Sequence, residues 1–331
     1  FYSWLASRGE EWRKDIRPGD LVLVCDVGGG TVDFTLIAVQ ERDRQLDLLR
    51  VSVGEHILLG GDNMDLALAF ELKKQLEGEG KQVGQWEFVS LVHAAREAKE
   101  LLFADESLEA APISVSGRGS SLFRSVLSTE LRRESLGRIL VDGFFPSVAP
   151  TEFPARQRSV GLRELGLEYA SDPAVTKHLA RFLARSLELV RGDPSLSALV
   201  PAETSAAVLA PTAVLFNGGV FKARALRERV CTLLREWSGG ELRELAGGDL
   251  DLAVSRGAAH FGAIAQGGKG LKIRAGTGRA YYLGVESSGL AVPGYQPPVR
   301  GICIVPRGTE EGSSLSLADR EFGLVVGEPV E

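Results

Sequence analysis

LVLVCDVGGGTVDFTLIAV, residues 21–39, decides how this chain folds. Leu21 to Cys25 is a short, unbroken apolar run, which predicts a strand buried on both faces. A turn carrying Gly28, Gly29 and Gly30 follows, and a second strand, Val32 to Val39, returns. Polar Glu41 to Gln45 separates it from a third strand over Leu46 to Val53, so the spacing predicts a three-stranded meander. Three successive glycines let backbone N–H groups approach an anion without side-chain obstruction, forming a phosphate nest. Thr31 adds a hydroxyl, and Asp26 and Asp33 flank the turn. Carboxylates beside a phosphate loop suit a divalent cation or an attacking water, so the combination points to phosphoryl transfer. The plainer alternative is a glycine-rich hairpin with Asp as turn residues.

Downstream, Gly60-Gly61 opens a helix with Asp62 as its N-cap, Asp65 in its first turn and Met64, Leu68, Leu72 and Leu76 on one face. Leu91, Ala94, Ala95, Ala98, Leu101 and Leu102 form the apolar stripe of the next helix. Short strands are expected at Pro112–Ser116 and Leu122–Leu127, then a helix from Ser128 to about Leu140 and a Pro-rich loop over 143–160. Leu179 to Val190 reads as a helix, Ala213–Phe216 as a buried strand and Phe221–Trp237 as a helix. Between the last two, Asn217-Gly218-Gly219 makes a second strand–glycine–helix junction, a geometry that favours anions. A small-residue helix covers about Leu250–Ala265, Gly267–Gly270 is a linker, and the remainder alternates like an all-β unit. Neither GxxxxGK[ST] nor a GxGxxG opening a helix occurs, which removes support for P-loop and Rossmann sites.

The 331 residues carry 38 Lys+Arg against 44 Asp+Glu, a net charge of −6. That balance argues against an electrostatic grip on nucleic acid or an anionic membrane. No apolar run approaches the ~20 residues of a membrane span. Cys25, Cys231 and Cys303 are scattered and odd in number, which predicts reduced thiols in a cytoplasmic protein rather than a disulfide framework or zinc site. His56, His93, His178 and His260 lack a second ligand at helical spacing and read as structural, although His56 lies near Gly60-Gly61. Trp4, Trp12, Trp86 and Trp237 are expected in packing roles.

Five blocks, in order, resemble the 70-kilodalton heat-shock (DnaK-like) chaperone family. Residues 21–39 look like its second phosphate motif; Gly54-Glu55-His56 with Leu59-Gly60-Gly61-Asp62 resembles its next block; Ala94 to Lys99 is similar to its adenosine-contacting helix; Val214 to Gly219 resembles its adenosine motif; and Asp251 to Ala259 resembles its closing helix. The resemblance departs at Arg96, Glu100 and Phe103, where the family carries an acid, an arginine and a small hydroxyl residue, and at Val220 and Lys222, where it carries Ser and Arg.

The resemblance implies an α/β fold: residues 1–266 as the second, ribonuclease-H-like lobe of an actin-like ATPase, with a small α+β subdomain inserted at about 54–128, then a linker and the start of a peptide-binding β-domain over 267–331. It implies ATP or ADP with Mg²⁺ as ligands. Gly28, Gly29, Gly30 and Thr31 would contact the phosphates. Asp26 would act on the metal through water, and Asp33 would position the attacking water. Gly60, Gly61 and Asp62 would lie at the cleft mouth, with Lys99, Gly218, Gly219, Lys222 and Asp251 around the nucleoside. Unfolded client polypeptides, J-domain proteins and nucleotide-exchange factors would be partners. The family's first phosphate hairpin has no counterpart here, so the chain is expected to be a segment of a longer protein and inactive by itself. Two alternatives are a nucleotide-blind interaction module built on the same lobe and another actin-like or sugar-kinase-like ATPase.

Overall fold

The computed structural model describes residues 1–42, 44–116, 126–155, 170–192, 196, 206–268, 270–277, 280–286, 299–306, 308–310 and 312–317. A short helix α1 (Tyr2–Arg8) and a single turn α2 (Trp12–Asp15) precede three strands, β1 (Leu21–Val27), β2 (Val32–Arg42) and β3 (Gln45–Val53). These strands form the expected antiparallel meander, with Asp26 paired to Asp33 and Val27 to Val32 at the glycine turn. Helices α3 (Gly61–Gly78) and α4 (Gln85–Ala104) follow, then the hairpin β4 (Ala110–Ser116) and β5 (Val126–Arg132).

The chain continues as α5 (Arg133–Leu136), which runs into a π-helix over Gly137–Phe144, and then α6 (Val175–Arg191). Strand β6 (Ala213–Asn217) leads through a 3₁₀ turn (Gly219–Lys222) to α7 (Arg224–Ser238) and the short β7 (Arg243–Glu244). Last come α8 (Ala253–Ala265), β8 (Arg274–Ala275), β9 (Tyr281–Glu286) and β10 (Val299–Val305).

The central sheet has six strands in the order β7-β6-β1-β2-β3-β8. β6 lies parallel to β1 and to β7, and β8 lies parallel to β3, so the protein is a mixed α/β fold. Side-chain alternation explains why β1 needs a continuous apolar run. Leu21, Leu23, Cys25 and Val27 enter the core beneath α3, α4, α6 and α7, while Val22 joins Trp4, Trp12, Ile16, Ile37, Leu48 and Leu215 on the opposite face. Both faces are covered, and neither tolerates a polar residue until Asp26 reaches the strand end.

Helices α3 and α4 and the β4–β5 hairpin pack on one another. Met64, Leu68, Leu72 and Leu76 are buried as their spacing predicts, and so are Leu91, Ala95, Ala98 and Leu102. Leu101 instead faces solvent, and Trp86 is 60% exposed at the start of α4, contrary to its expected packing role.

The helix expected from Ser128 does not begin there. Residues 128–132 pair antiparallel with β4, Thr129 opposite Ile113 and Leu131 opposite Ala111, and the helix starts only at Arg133. Ser128-Thr129-Glu130 imitates a helix cap, but cross-strand pairing and the burial of Leu131 outweigh that local signal. The expected strand over 122–127 and the loop over 143–160 lie partly outside the described residues, and the end of the chain from residue 318 lies wholly outside them.

Candidate nucleotide cleft

The glycine turn is built against the start of α3. Gly61 N–H donates to the Gly28 carbonyl at 3.0 Å and Asp62 N–H to the Gly29 carbonyl at 2.7 Å, tying the turn to the helix. Gly60 occupies the N-cap position, not Asp62, and its N–H donates to Asn63 Oδ1 at 2.9 Å. The first turn of α3 is therefore satisfied by the protein, so its helix N-terminus is not an open anion site. A Cβ on Gly60 would stand 2.5 Å from the Gly29 oxygen and 2.7 Å from the Gly28 oxygen, so only glycine fits there.

None of Gly28, Gly29 and Gly30 adopts a left-handed φ, so the nest expected from three glycines does not form as alternating left- and right-handed residues. Gly28 N–H donates to the Thr31 carbonyl at 2.9 Å. Among the described residues, the N–H groups of Gly29, Gly30 and Thr31 donate to no protein acceptor, and Gly30 has open space beside it. Three adjacent unclaimed donors at an exposed turn can receive an anion.

One cleft of about 420 Å³ draws its walls from segments far apart in sequence: Gly28 and Gly29, Gly61 and Asp62, Lys99 and Glu100, Gly219 and Lys222, and Asp251. Its volume is within the range of small-molecule sites. Phe103, Val220, Ala223 and Leu226 supply apolar surface. Four carboxylates, Asp62, Asp65, Glu100 and Asp251, stand against three cations, Arg96, Lys99 and Lys222, so the cleft has no net positive field.

Most of those charges are already paired. Asp65 is fully buried; Arg96 Nε donates to its Oδ2 at 2.6 Å, and Lys99 Nζ lies 2.6 Å from its Oδ1. Arg96 also bonds Asp62. Lys99, expected beside the nucleoside, lines the cleft but is held by Asp65 and is only 13% exposed. Lys222 Nζ lies 2.7 Å from Asp251 Oδ1, so these two expected nucleoside contacts form one exposed pair. This lattice was legible in principle: Asp62 and Asp65 stand three apart on one helix, and Arg96 and Lys99 stand three apart on the next.

The expected catalytic acids point elsewhere. Asp26 lines a second hollow of about 1000 Å³ on the other face of the sheet, with Val24, Thr35, Asn217 and the apolar side chains of α1 and α8. Asn217 Nδ2 donates to Asp26 Oδ2 at 2.5 Å. Burial raises the Asp26 pKa above the ordinary carboxylate value; the Asn217 bond opposes this, and the charge of Asp33 adds to it. Asp33 shares that face, and its Oδ1 lies 2.8 Å from His56 Nδ1. Gly30, Thr31 and Asp33 line neither hollow.

Gly218 also lines neither hollow and packs against the end of β1. Its φ of +83° is left-handed, and a Cβ there would stand 2.2 Å from the Val27 oxygen and 2.7 Å from Asp26 Oδ1. The Asn217–Asp26 bond and the Asp33–His56 contact are absent from the sequence-based expectations, because each depends on strand register.

Among the described residues, no group of three or more His, Cys, Asp or Glu side chains is arranged to hold a metal ion, and no helix is long and apolar enough to cross a membrane. Cys25, Cys231 and Cys303 are free, and burial pushes the Cys231 thiol up to about 11, away from reactivity. No protein-family model matches this chain, and no curated protein matches it.

Proposed function

We propose that this chain is a nucleotide-binding lobe of a heat-shock-70-like chaperone ATPase. Its ligand would be a Mg²⁺–nucleoside di- or triphosphate, with the nucleoside in the cleft and the phosphates on the Gly29, Gly30 and Thr31 amides. The observation that carries this reading is convergence: five segments with the same order as the family's nucleotide blocks meet around one cleft of about 420 Å³, beside a turn with unclaimed N–H donors. ATP and ADP are the ligands the resemblance implies.

In this reading Asp26 and Asp33, neighbours across β1 and β2 on one face, would hold a hydrated Mg²⁺ through its waters. Mg²⁺ keeps several waters and is held by one or two carboxylates plus substrate phosphates. When bound, the ion neutralises phosphate charge. Asp33, in contact with His56, would align a water in this reading. Coupling to unfolded polypeptides, J-domain proteins and exchange factors in the cytoplasm belongs to the same proposal.

A second reading, a nucleotide-blind interaction module, draws on the pairing of Arg96, Lys99 and Lys222 with Asp62, Asp65 and Asp251, which leaves little free cationic charge for a ligand. Calorimetric titration with Mg·ATP and Mg·ADP separates the two. Saturable binding that Asp33→Ala weakens supports the ATPase lobe. No heat at millimolar nucleotide rejects it in favour of the module.

A further inference from the structure

A third hollow, of about 190 Å³, lies where α6 packs on β2 and β3, and it shares no lining residue with the other two. It is smaller than the ~300 Å³ at which drug-sized sites begin, so it suits a small molecule. Its walls are apolar: Phe34 stacks on Phe182 with ring centroids 5.6 Å apart, and Ile57 and Leu189 add to them.

The charges at this hollow are unevenly matched. Arg181 and Arg185 stand one turn apart on α6, and both face Glu55 in the segment after β3. Arg185 Nη1 donates to Glu55 Oε1 at 2.6 Å, whereas Arg181 Nη2 lies 3.5 Å from Oε2. The short bond of this carboxylate therefore goes to Arg185. His178 Nε2 donates to the Asp172 carbonyl at 2.9 Å, so its Nδ1 is an acceptor. Arg181 Nη2 reaches that Nδ1 at 3.4 Å, long for a hydrogen bond. A guanidinium carries five N–H donors in a fixed fork. Nε and Nη1 of Arg181 have no acceptor among the described residues, although the side chain is only 27% exposed. Burying a charge is costly unless it is paired and hydrogen-bonded. Burial lowers the Arg181 pKa, with Glu55 opposing the shift and Arg185 adding to it.

We propose that this hollow binds a small carboxylate with a short apolar tail, the carboxylate on the open donors of Arg181 and the tail against Phe34, Phe182 and Leu189. Arginine and carboxylate match in charge and in planar geometry. Phosphate brings more acceptors than Arg181 can satisfy and nothing for the aromatic wall. Glu55 competes for Arg181 in the free protein. None of these residues belongs to the nucleotide reading, so the proposal stands or falls separately from it.

Ligand-observed NMR with isovalerate, its neutral isostere isovaleramide and inorganic phosphate tests this on the parent chain, Arg181→Gln and Glu55→Gln. The parent is expected to bind isovalerate saturably and roughly tenfold or more tighter than isovaleramide or phosphate. Arg181→Gln is expected to lose that preference. Glu55→Gln, which removes the competing charge, is expected to bind isovalerate at least about twofold tighter. An unchanged melting curve shows that Arg181→Gln folds. A second readout needs no variant: the Arg181 Nε–H resonance of the parent, labelled at arginine, is expected to shift as isovalerate is added. Absence of saturable isovalerate binding, equal binding of the amide, an unmoved Arg181 resonance or a preference that survives Arg181→Gln overturns the proposal. So does isovalerate binding that Glu55→Gln fails to strengthen, and phosphate binding as tight as isovalerate overturns the carboxylate assignment.

Discussion

Gly60→Ala tests the joint on which the candidate site depends. The added Cβ would meet the Gly29 oxygen at 2.5 Å and the Gly28 oxygen at 2.7 Å, and the φ of −173° is ordinary extended backbone, so the penalty is overlap and not dihedral strain. Restoring an ordinary contact moves the glycine turn away from α3 by roughly 0.5–1 Å. That shift breaks the bonds from Gly61 N–H and Asp62 N–H to the turn, now 3.0 and 2.7 Å long. Two lost hydrogen bonds at about 1 kcal/mol each, with about 1–3 kcal/mol of residual crowding, make a loss of about 3–5 kcal/mol.

Urea unfolding followed by tryptophan fluorescence measures this, because Trp4 and Trp12 are buried in the core on the opposite face and report global unfolding. Gly78→Ala, on the same helix with no atom within 4 Å of the added carbon, is the control. It is expected to be neutral or to stabilise by up to about 1 kcal/mol. A Gly60→Ala protein within about 1 kcal/mol of the parent would refute the claim that the turn and helix are locked together.

Three further outcomes follow from the charges. Asp65→Asn leaves Arg96 and Lys99 without their buried anion and is expected to cost about 3–5 kcal/mol, whereas Asp62→Asn, at an exposed site, is expected to cost under about 1 kcal/mol; equal effects in parallel denaturation curves would contradict this ranking. Asp26 has a folded pKa above its unfolded value, so it favours the folded state at low pH, and that contribution fades as pH rises from the ordinary carboxylate value through the folded one. Asp26→Asn should therefore melt at pH 7 no lower than the parent while weakening Mg²⁺-dependent nucleotide binding, and a clearly lower Tm at pH 7 would count against the burial argument. Burial depresses the His178 pKa, and its Nε2 lies 2.9 Å from the Asp172 carbonyl. Stability that depends on neutral His178 is present above about pH 6.5 and is lost as pH falls through the folded value, so His178→Gln should flatten the stability profile below about pH 6.5 in thermal melts.

Much of the fold was legible because β1, α3 and the Leu179–Val190 part of α6 carry patterns of a single period. Leu21–Cys25 had to be buried on two faces, and Met64, Leu68, Leu72 and Leu76 had to share one. Residues 128–132 misled for the opposite reason: their local cap signal favoured a helix, and only pairing with Ala110–Ser116 made them a strand. Trp86 shows that an aromatic residue at a helix start carries no burial signal without its neighbours.

The candidate site divides in the same way. That Gly28–Thr31, Gly60-Gly61, Lys99, Gly218-Gly219, Lys222 and Asp251 are marked residues was a property of the sequence, since glycine and charge at those junctions are local chemical facts. Which of them share a cleft was decided by tertiary structure. Packing set Lys99 on Asp65 and Lys222 on Asp251. Strand register turned Asp26 and Asp33 to the far face of the sheet, because successive side chains on a strand alternate sides and the partner Asn217 arrives from 191 residues away. Local sequence determines which backbone conformations and charges are present, and only the packed sheet determines which charges meet.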